Sequence, residues 1–263
     1  MNKYIHKAIS ILPLKKSFYE ICTLYSNKYN SENNCDMKTN GEYQFIKNNL
    51  KNCNVVFDVG ANIGEWTTEA LNINPKLHIH CFEPSSYTFK KLQQNKFNKN
   101  VLCNNFGLSS KATTQELHIF EEGAGINSLY KRHGLETSFN LETQSKSEQI
   151  KLTTLDKYCK TNTVEKIDFL KIDVEGHELE VFKGGKNLIQ QEKIKMIQFE
   201  YGGCNIDAKV LLKDIFDFFK NTNYNFYKIY PKHLKLIKMY DQKLENFQYQ
   251  NWAIIHKNYA LNS

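Results

Sequence analysis

The chain has 263 residues, of which 41% are hydrophobic and 24% charged, and it carries a net charge of +7. That length holds one large domain with a real core and needs no disulfide staple, so a mini-protein, a collagen and a disordered tail are excluded. No run of about 18 apolar residues occurs, which excludes a polytopic membrane protein. In residues 1–40, Ile5, Ile9, Leu12, Phe18, Ile21, Cys22 and Tyr25 recur at helical spacing and Pro13 interrupts them. Two short amphipathic helices are predicted there, followed by a polar linker over 31–40. Three roles are open to this extension: packing on the main domain, a homodimer, or lying on a membrane surface. Phe18, Ile21 and Tyr25 need cover, so packing on the domain or on a partner subunit is the expectation.

From residue 41 to 263 one domain is predicted, in which helices and strands alternate. The helices fall at 42–50, 65–71, 86–95, 178–189 and 210–220. The strands fall at 54–59, 77–82, 101–104, 167–172, 194–200, 225–230 and 252–256. Strands separated by helices of about ten residues mean right-handed crossovers and a mainly parallel sheet. The last two strands have no helix between them, which predicts a closing antiparallel hairpin. The interval 108–164 breaks the rhythm, with strands at 115–120 and 150–155. The polar stretch 121–148 between them reads as a lid over the acceptor.

The charge excess is lysine spread along the chain. It suits a phosphate-bearing partner, but without a dense basic block it predicts no nucleic-acid partner. The seven cysteines are odd in number and include no C-x-x-C pair. Cys53, Cys81 and Cys103, in or beside predicted strands, read as small buried hydrophobes in a reducing, cytoplasmic setting. The stretch 9–14 is too short for a secretory signal.

Three motifs carry chemistry. Asp58-Val59-Gly60-Ala61-Asn62-Ile63-Gly64 follows the apolar strand Val55-Val56-Phe57 and opens a helix. In a doubly wound sheet, ligands bind beyond the carboxyl ends of the strands, where small residues let backbone approach a ligand. The spacing is neither the dinucleotide G-x-G-x-x-G nor a Walker A loop. Glu83 lies 19 residues after Gly64, at the tip of the next strand, placed to accept hydrogen bonds from two ribose hydroxyls. The third motif, Lys171-Ile172-Asp173-Val174-Glu175-Gly176-His177-Glu178, follows a strand and enters a helix. Acids in a first helical turn also match the macrodipole, which accounts for Glu175 and Glu178 but not for Asp173 on the strand tip. Glu200 ends the following strand and is expected beside Asp173.

These motifs, with Phe82-Glu83-Pro84, Gly107-Leu108-Ser109 and Gln198-Phe199-Glu200, resemble the FkbM-type methyltransferases over roughly residues 50–220. The resemblance implies a class I, Rossmann-like fold with a doubly wound, mainly parallel seven-stranded sheet. It also implies an S-adenosylmethionine-dependent O-methyltransferase acting on a sugar hydroxyl, nucleotide-activated or on a surface polysaccharide. By resemblance, Gly60 and Asn62 border the methionine part of S-adenosylmethionine, Glu83 holds the ribose, and Asn105, Phe106 and Gly107 flank the adenine. Asp58, Gly64, Pro84 and Asp173 complete the expected cofactor set. A sugar hydroxyl is a weak nucleophile, so a general base helps. His177, Glu200 and Glu175 are the candidates; for His177 the helix N-terminus disfavours imidazolium while the neighbouring carboxylates favour it, which leaves the sign of its shift open. Asp173 and Glu200 holding a divalent metal is an alternative, though two carboxylates are few ligands. Other small-molecule hydroxyls remain open as acceptors. A nicotinamide-dependent oxidoreductase lacks its glycine spacing here, and a non-catalytic binding module would not need the acids at 58, 83, 173 and 200.

Overall fold

A computed structural model of the chain describes residues 7, 9, 15–120, 125–132 and 146–259. Its first element is α1, Lys16–Asn30, followed by α2, Glu42–Asn49. Strand β1 (Val55–Val59) then leads through α3 (Glu65–Ile73) to β2 (His78–Phe82), and through α4 (Ser86–Gln94) to β3 (Val101–Asn104). A side sheet follows, made of β4 (Gly107–Leu108), β5 (Thr113–Ile119) and β6 (Lys146–Thr153) in the order β4-β6-β5. Helix α5 (Leu155–Thr161) returns the chain to β7 (Ile167–Ile172). After α6 (Glu178–Gly184) and α7 (Lys186–Gln190) comes β8 (Ile194–Tyr201). Helices α8 (Cys204–Ala208) and α9 (Leu212–Phe219) lead to β9 (Tyr224–Ile229), β10 (Leu234–Ile237) and β11 (Gln250–His256).

The main sheet has eight strands in the order β10-β9-β11-β8-β7-β1-β2-β3. Strands β1, β2, β3, β7 and β8 run parallel, so their carboxyl ends share one edge. The central strands are apolar on both faces because helices cover both. Val56, Phe169 and Met196 face α2 and α3, packing with Phe45, Ile46, Trp66 and Ala70. Phe57, Leu170 and Ile197 face the opposite layer with Phe182, Leu188 and Ile215. Helix α9 presents Leu212, Ile215, Phe216 and Phe219 at helical spacing, and Phe216 stacks on Phe226 with ring centroids 3.9 Å apart. Each such buried side chain contributes about 1.5–3 kcal/mol.

The seven predicted strands of the main sheet are present, and β10 is the eighth. It is a short, half-exposed edge strand carrying Lys235, so it lacks the apolar run that marks its neighbours. The closing strands pair antiparallel, Trp252 with Lys228, but β11 sits between β8 and β9, and the tight hairpin is β9–β10. The predicted helix 178–189 is two helices. It breaks at Gly185, and at Gly184 just before it a Cβ would lie 2.1 Å from the Ser109 carbonyl oxygen, so the chain after β4 packs directly on the helix backbone. The strand predicted at 150–155 ends at Thr153, because the Thr154 side chain accepts from Lys157 N and starts α5.

The N-terminal extension differs most from expectation. Helix α1 buries none of its residues against the domain. The segment 31–40 is a fixed strap. Glu32 is buried and paired with Lys228 at 3.0 Å, and Asn33 N donates to the Tyr249 carbonyl at 2.9 Å. The first predicted helix lies largely outside the described residues, as do 121–124 and 133–145 of the proposed lid.

Candidate active site

The loop after β1 is shaped by one close approach. Gly60 has φ +85°, and a Cβ there would lie 1.8 Å from the Asp173 carbonyl oxygen, so no side chain fits. Asp173 N donates to the Val59 carbonyl at 2.9 Å, which locks the ends of β1 and β7 together. Gly60 N and Ala61 N both donate to the Phe82 carbonyl, at 2.9 and 3.0 Å. Asn62 N, at φ +46°, donates to Glu83 Oε2 at 3.0 Å, and Ser85 N donates to Oε1 at 2.9 Å. The Glu83 carboxylate is therefore held from both sides at the tip of β2. Burial pushes its pKa up to about 7, against the pull of those two N–H groups.

A cleft of about 720 Å³, its open mouth included, lies over this edge. Gly60, Asn62, Glu83, Pro84 and Gly107 form its floor, with Leu108, Leu117, Ile150 and Leu152 as an apolar wall. Asp173, Glu175 and His177 form the other wall. The described part of the predicted lid reaches over it, because Gly125, Asn127, Ser128 and Leu129 also line the cleft. Ser128 is anchored to β5 by paired backbone hydrogen bonds with His118, at 2.8 and 3.2 Å.

Five predicted site residues do not line the cleft. Asp58 is fully buried and accepts from the Thr67 hydroxyl at 2.6 Å. Gly64 starts α3 where a Cβ would meet Leu92, Asn95 and Phe97. The Asn105 amide donates to the Glu83 and Pro84 carbonyls at 3.0 and 3.1 Å, fixing the turn that carries Glu83. Phe106 packs on Phe82 and Tyr158. Glu200 accepts from the Tyr249 hydroxyl at 2.7 Å and faces Lys171 and Asp173.

Lys171 organises the acids. It is buried and bonds Asp173 Oδ2 at 3.0 Å. Burial alone would lower its pKa, but the surrounding Asp173, Asp58, Glu42 and Glu200 carboxylates raise it above the usual lysine range. Burial in turn raises the pKa of Glu42, Asp58 and Glu200. Glu42 on α2 also accepts from Gln198 Nε2 at 2.6 Å.

On the mouth side, Glu175 holds φ +53° and its backbone carbonyl accepts from the Ser128 hydroxyl at 2.8 Å. Its carboxylate accepts from Arg132 Nη1 at 2.6 Å. Burial first, and Asp173 second, push the Glu175 pKa up to about 8, with Arg132 pulling the other way. The Glu178 carboxylate accepts from Gly176 N and Val174 N at 3.1 and 3.3 Å and so closes the turn. His177 is bonded through both ring nitrogens, Nδ1 to the Tyr130 hydroxyl and Nε2 to the Ser109 hydroxyl, each at 2.9 Å. Burial lowers its pKa to about 4, so it is neutral at pH 7 and does not titrate near neutrality. Among the described residues, no group of three or more His, Cys, Asp and Glu side chains is arranged to hold a metal ion.

Motif reading does not reach Arg132. The signal for it is compositional: it is the only arginine in a chain with 35 Lys and Arg residues. Its planar fork cannot be replaced by lysine where a carboxylate must be oriented.

The chain matches the model of the methyltransferase FkbM domain over residues 58–226. It is 30% identical over 162 residues to the hexuronic acid methyltransferase AglP of Haloferax volcanii, a match covering 61% of this chain and 62% of that protein. It therefore spans about three fifths of the length of that relative. It is 24% identical over 181 residues to the 2-O-methyltransferase NoeI of Sinorhizobium fredii, covering 62% of this chain and 70% of that one. A similar solved structure is the methyltransferase FkbM of Methylobacillus flagellatus, with a TM-score of 0.46 and 15% identity, covering 78% of this chain and 44% of that chain. The chain belongs to the FkbM methyltransferase family.

Proposed function

We propose that this FkbM-family chain is an S-adenosylmethionine-dependent O-methyltransferase whose acceptor is a sugar hydroxyl. The observation that carries the reading is the Gly60–Asn62–Glu83 arrangement at the shared carboxyl edge of β1 and β2. Both Glu83 oxygens accept from backbone, and the carboxylate lines the cleft with acceptor capacity left on each oxygen for a ribose hydroxyl. Asn62 Oδ1 is buried on the cleft floor with no partner among the described residues, an acceptor suited to the ammonium of the methionine part. The apolar wall suits the adenine. S-adenosylmethionine, when bound, supplies a methyl group on a sulfonium, whose leaving group is a neutral thioether. The protein's own work is to orient the acceptor hydroxyl in line and to take its proton. We assign the proton to Glu175, which lines the cleft and is oriented by Arg132.

The sugar acceptor is supported by the names of the relatives AglP and NoeI, and the +7 charge suits a nucleotide-activated sugar or an anionic polysaccharide. The test is incubation with labelled S-adenosylmethionine and a panel of nucleotide-activated sugars and uronic-acid glycans, with methyl transfer read by mass. No transfer to any sugar, with transfer to a non-sugar hydroxyl, would move the reading to another acceptor.

Cofactor binding has its own signature. Glu83→Ala should lower affinity for S-adenosylhomocysteine by about 1.5–3 kcal/mol, the worth of a charge-assisted hydrogen bond. Ribose hydroxyls donate to the ionised carboxylate, so binding favours loss of the Glu83 proton. Affinity in the wild type should therefore rise as pH rises through about 7, with proton release on binding below it. Calorimetry giving a flat pH profile and an unaltered affinity in Glu83→Ala would remove Glu83 from the ribose.

A further inference from the structure

Helix α1 faces the wrong way for a helix that packs on its own domain. Phe18, Ile21, Tyr25 and Tyr29 recur every three or four residues and share one face with Cys22. They are 52%, 62%, 71% and 73% exposed. The residues that α1 turns toward cover are polar: Thr23, Asn27 and Asn30 are its half-buried positions, on the opposite face. An aromatic and aliphatic stripe of this size left in water marks an interaction surface.

Charge selects the partner. Residues 1–30 carry five lysines against the single acid Glu20. Lys15 and Lys28 flank the apolar stripe on its two sides, where their stems can extend past the stripe's edge and their ammonium groups reach an anionic plane. A second copy of the chain would bring these like charges together, whereas an anionic bilayer complements them. The helix is about 22 Å long and no helix among the described residues can cross a membrane, so α1 would lie in the surface plane. The tyrosines suit the boundary between headgroups and acyl chains.

We infer that the outward face of α1, Phe18, Ile21, Cys22, Tyr25 and Tyr29 bordered by Lys15 and Lys28, docks the enzyme on an anionic membrane surface. This inference does not depend on the acceptor or on the cofactor. The experiment is co-sedimentation of the full chain with vesicles of phosphatidylcholine alone and of phosphatidylcholine with about one third phosphatidylglycerol. The anionic vesicles should bind about tenfold or more tightly than the neutral ones, less so in high salt. Ile21→Ser/Tyr25→Ser and Lys15→Glu/Lys28→Glu should each weaken that binding about tenfold. Because Lys15, Ile21, Tyr25 and Lys28 are all exposed, both double variants should keep the wild-type melting temperature and affinity for S-adenosylhomocysteine. Equal sedimentation of wild type and both variants would overturn the inference. A dimer by light scattering that Ile21→Ser/Tyr25→Ser dissociates, without vesicle binding, would overturn it in favour of a second copy.

Discussion

Lys171→Met should destabilise the fold by about 3–5 kcal/mol at pH 7, the cost of removing one partner from a buried charge cluster. The loss arises from the electrostatics more than from the volume, since methionine fills a similar space beside Trp66. Lys171 is the one cation that Asp58, Asp173, Glu42 and Glu200 share among the described contacts. Without it, three carboxylates whose pKa values burial already raises would have to ionise together or take up protons. The sign of the pH dependence follows. A carboxylate with a raised folded-state pKa binds more protons folded than unfolded, so it lowers stability as pH rises past its unfolded value. The penalty in Lys171→Met should therefore be largest near pH 8 and shrink toward pH 5, as the acids are neutralised. Urea denaturation across that range tests it. A loss below about 1 kcal/mol at every pH would mean that the cluster is neutral in the wild type and that Lys171 does not compensate it.

The cluster also marks where sequence reasoning stops. Strands β1, β2 and β7 were legible because each is an apolar run ended by a glycine or an acid at the ligand edge. Glu83 was legible because its distance from Gly64 repeats a spacing with a physical cause. Strand β10 was not, since its exposed lysine and short length give it no periodic signal. Nor was the partnership of Glu42 with Gln198, which are 156 residues apart. For His177 the helix N-terminus and the local acids pull in opposite directions, so its sequence neighbours leave the shift unsigned. Its real environment comes from Tyr130 and Ser109, 47 and 68 residues away, and from burial that no local pattern encodes. Glu200 reads as a site acid because it ends a strand at the right edge, and Asp58 because it opens the glycine-loop motif. Each instead faces a partner that does not line the cleft, Thr67 or Tyr249, because successive strand residues point to opposite faces.

That geometry ranks the three candidate bases. A general base must reach the acceptor proton, have a free lone pair, and ionise near the working pH. His177 is on the cleft wall, but both of its nitrogens are engaged and its pKa is near 4. It bridges Tyr130, which follows the described residues of the 121–148 segment that line the cleft, to Ser109. Glu200 keeps its carboxylate on Tyr249 and does not line the cleft. Glu175 lines the cleft, has one oxygen bonded by Arg132 and the other without a hydrogen-bond partner among the described residues, and its pKa is pushed up to about 8. Glu175→Gln should therefore lower kcat about 10²–10⁴-fold with affinity for S-adenosylhomocysteine retained. The base acts when ionised, so wild-type kcat/KM for the acceptor should rise about tenfold per pH unit and level off above about 8. Arg132→Ala removes the charge that favours ionisation, so it should move that limb to higher pH, while Arg132→Lys should restore part of the shift but not the full rate. Glu200→Gln should leave the shape of the profile intact. A Glu175→Gln enzyme within a few-fold of wild type would show that in-line positioning alone carries the transfer. A loss of the limb in Glu200→Gln instead would place the base on β8, and would require Tyr249 to move away from Glu200 when the acceptor binds.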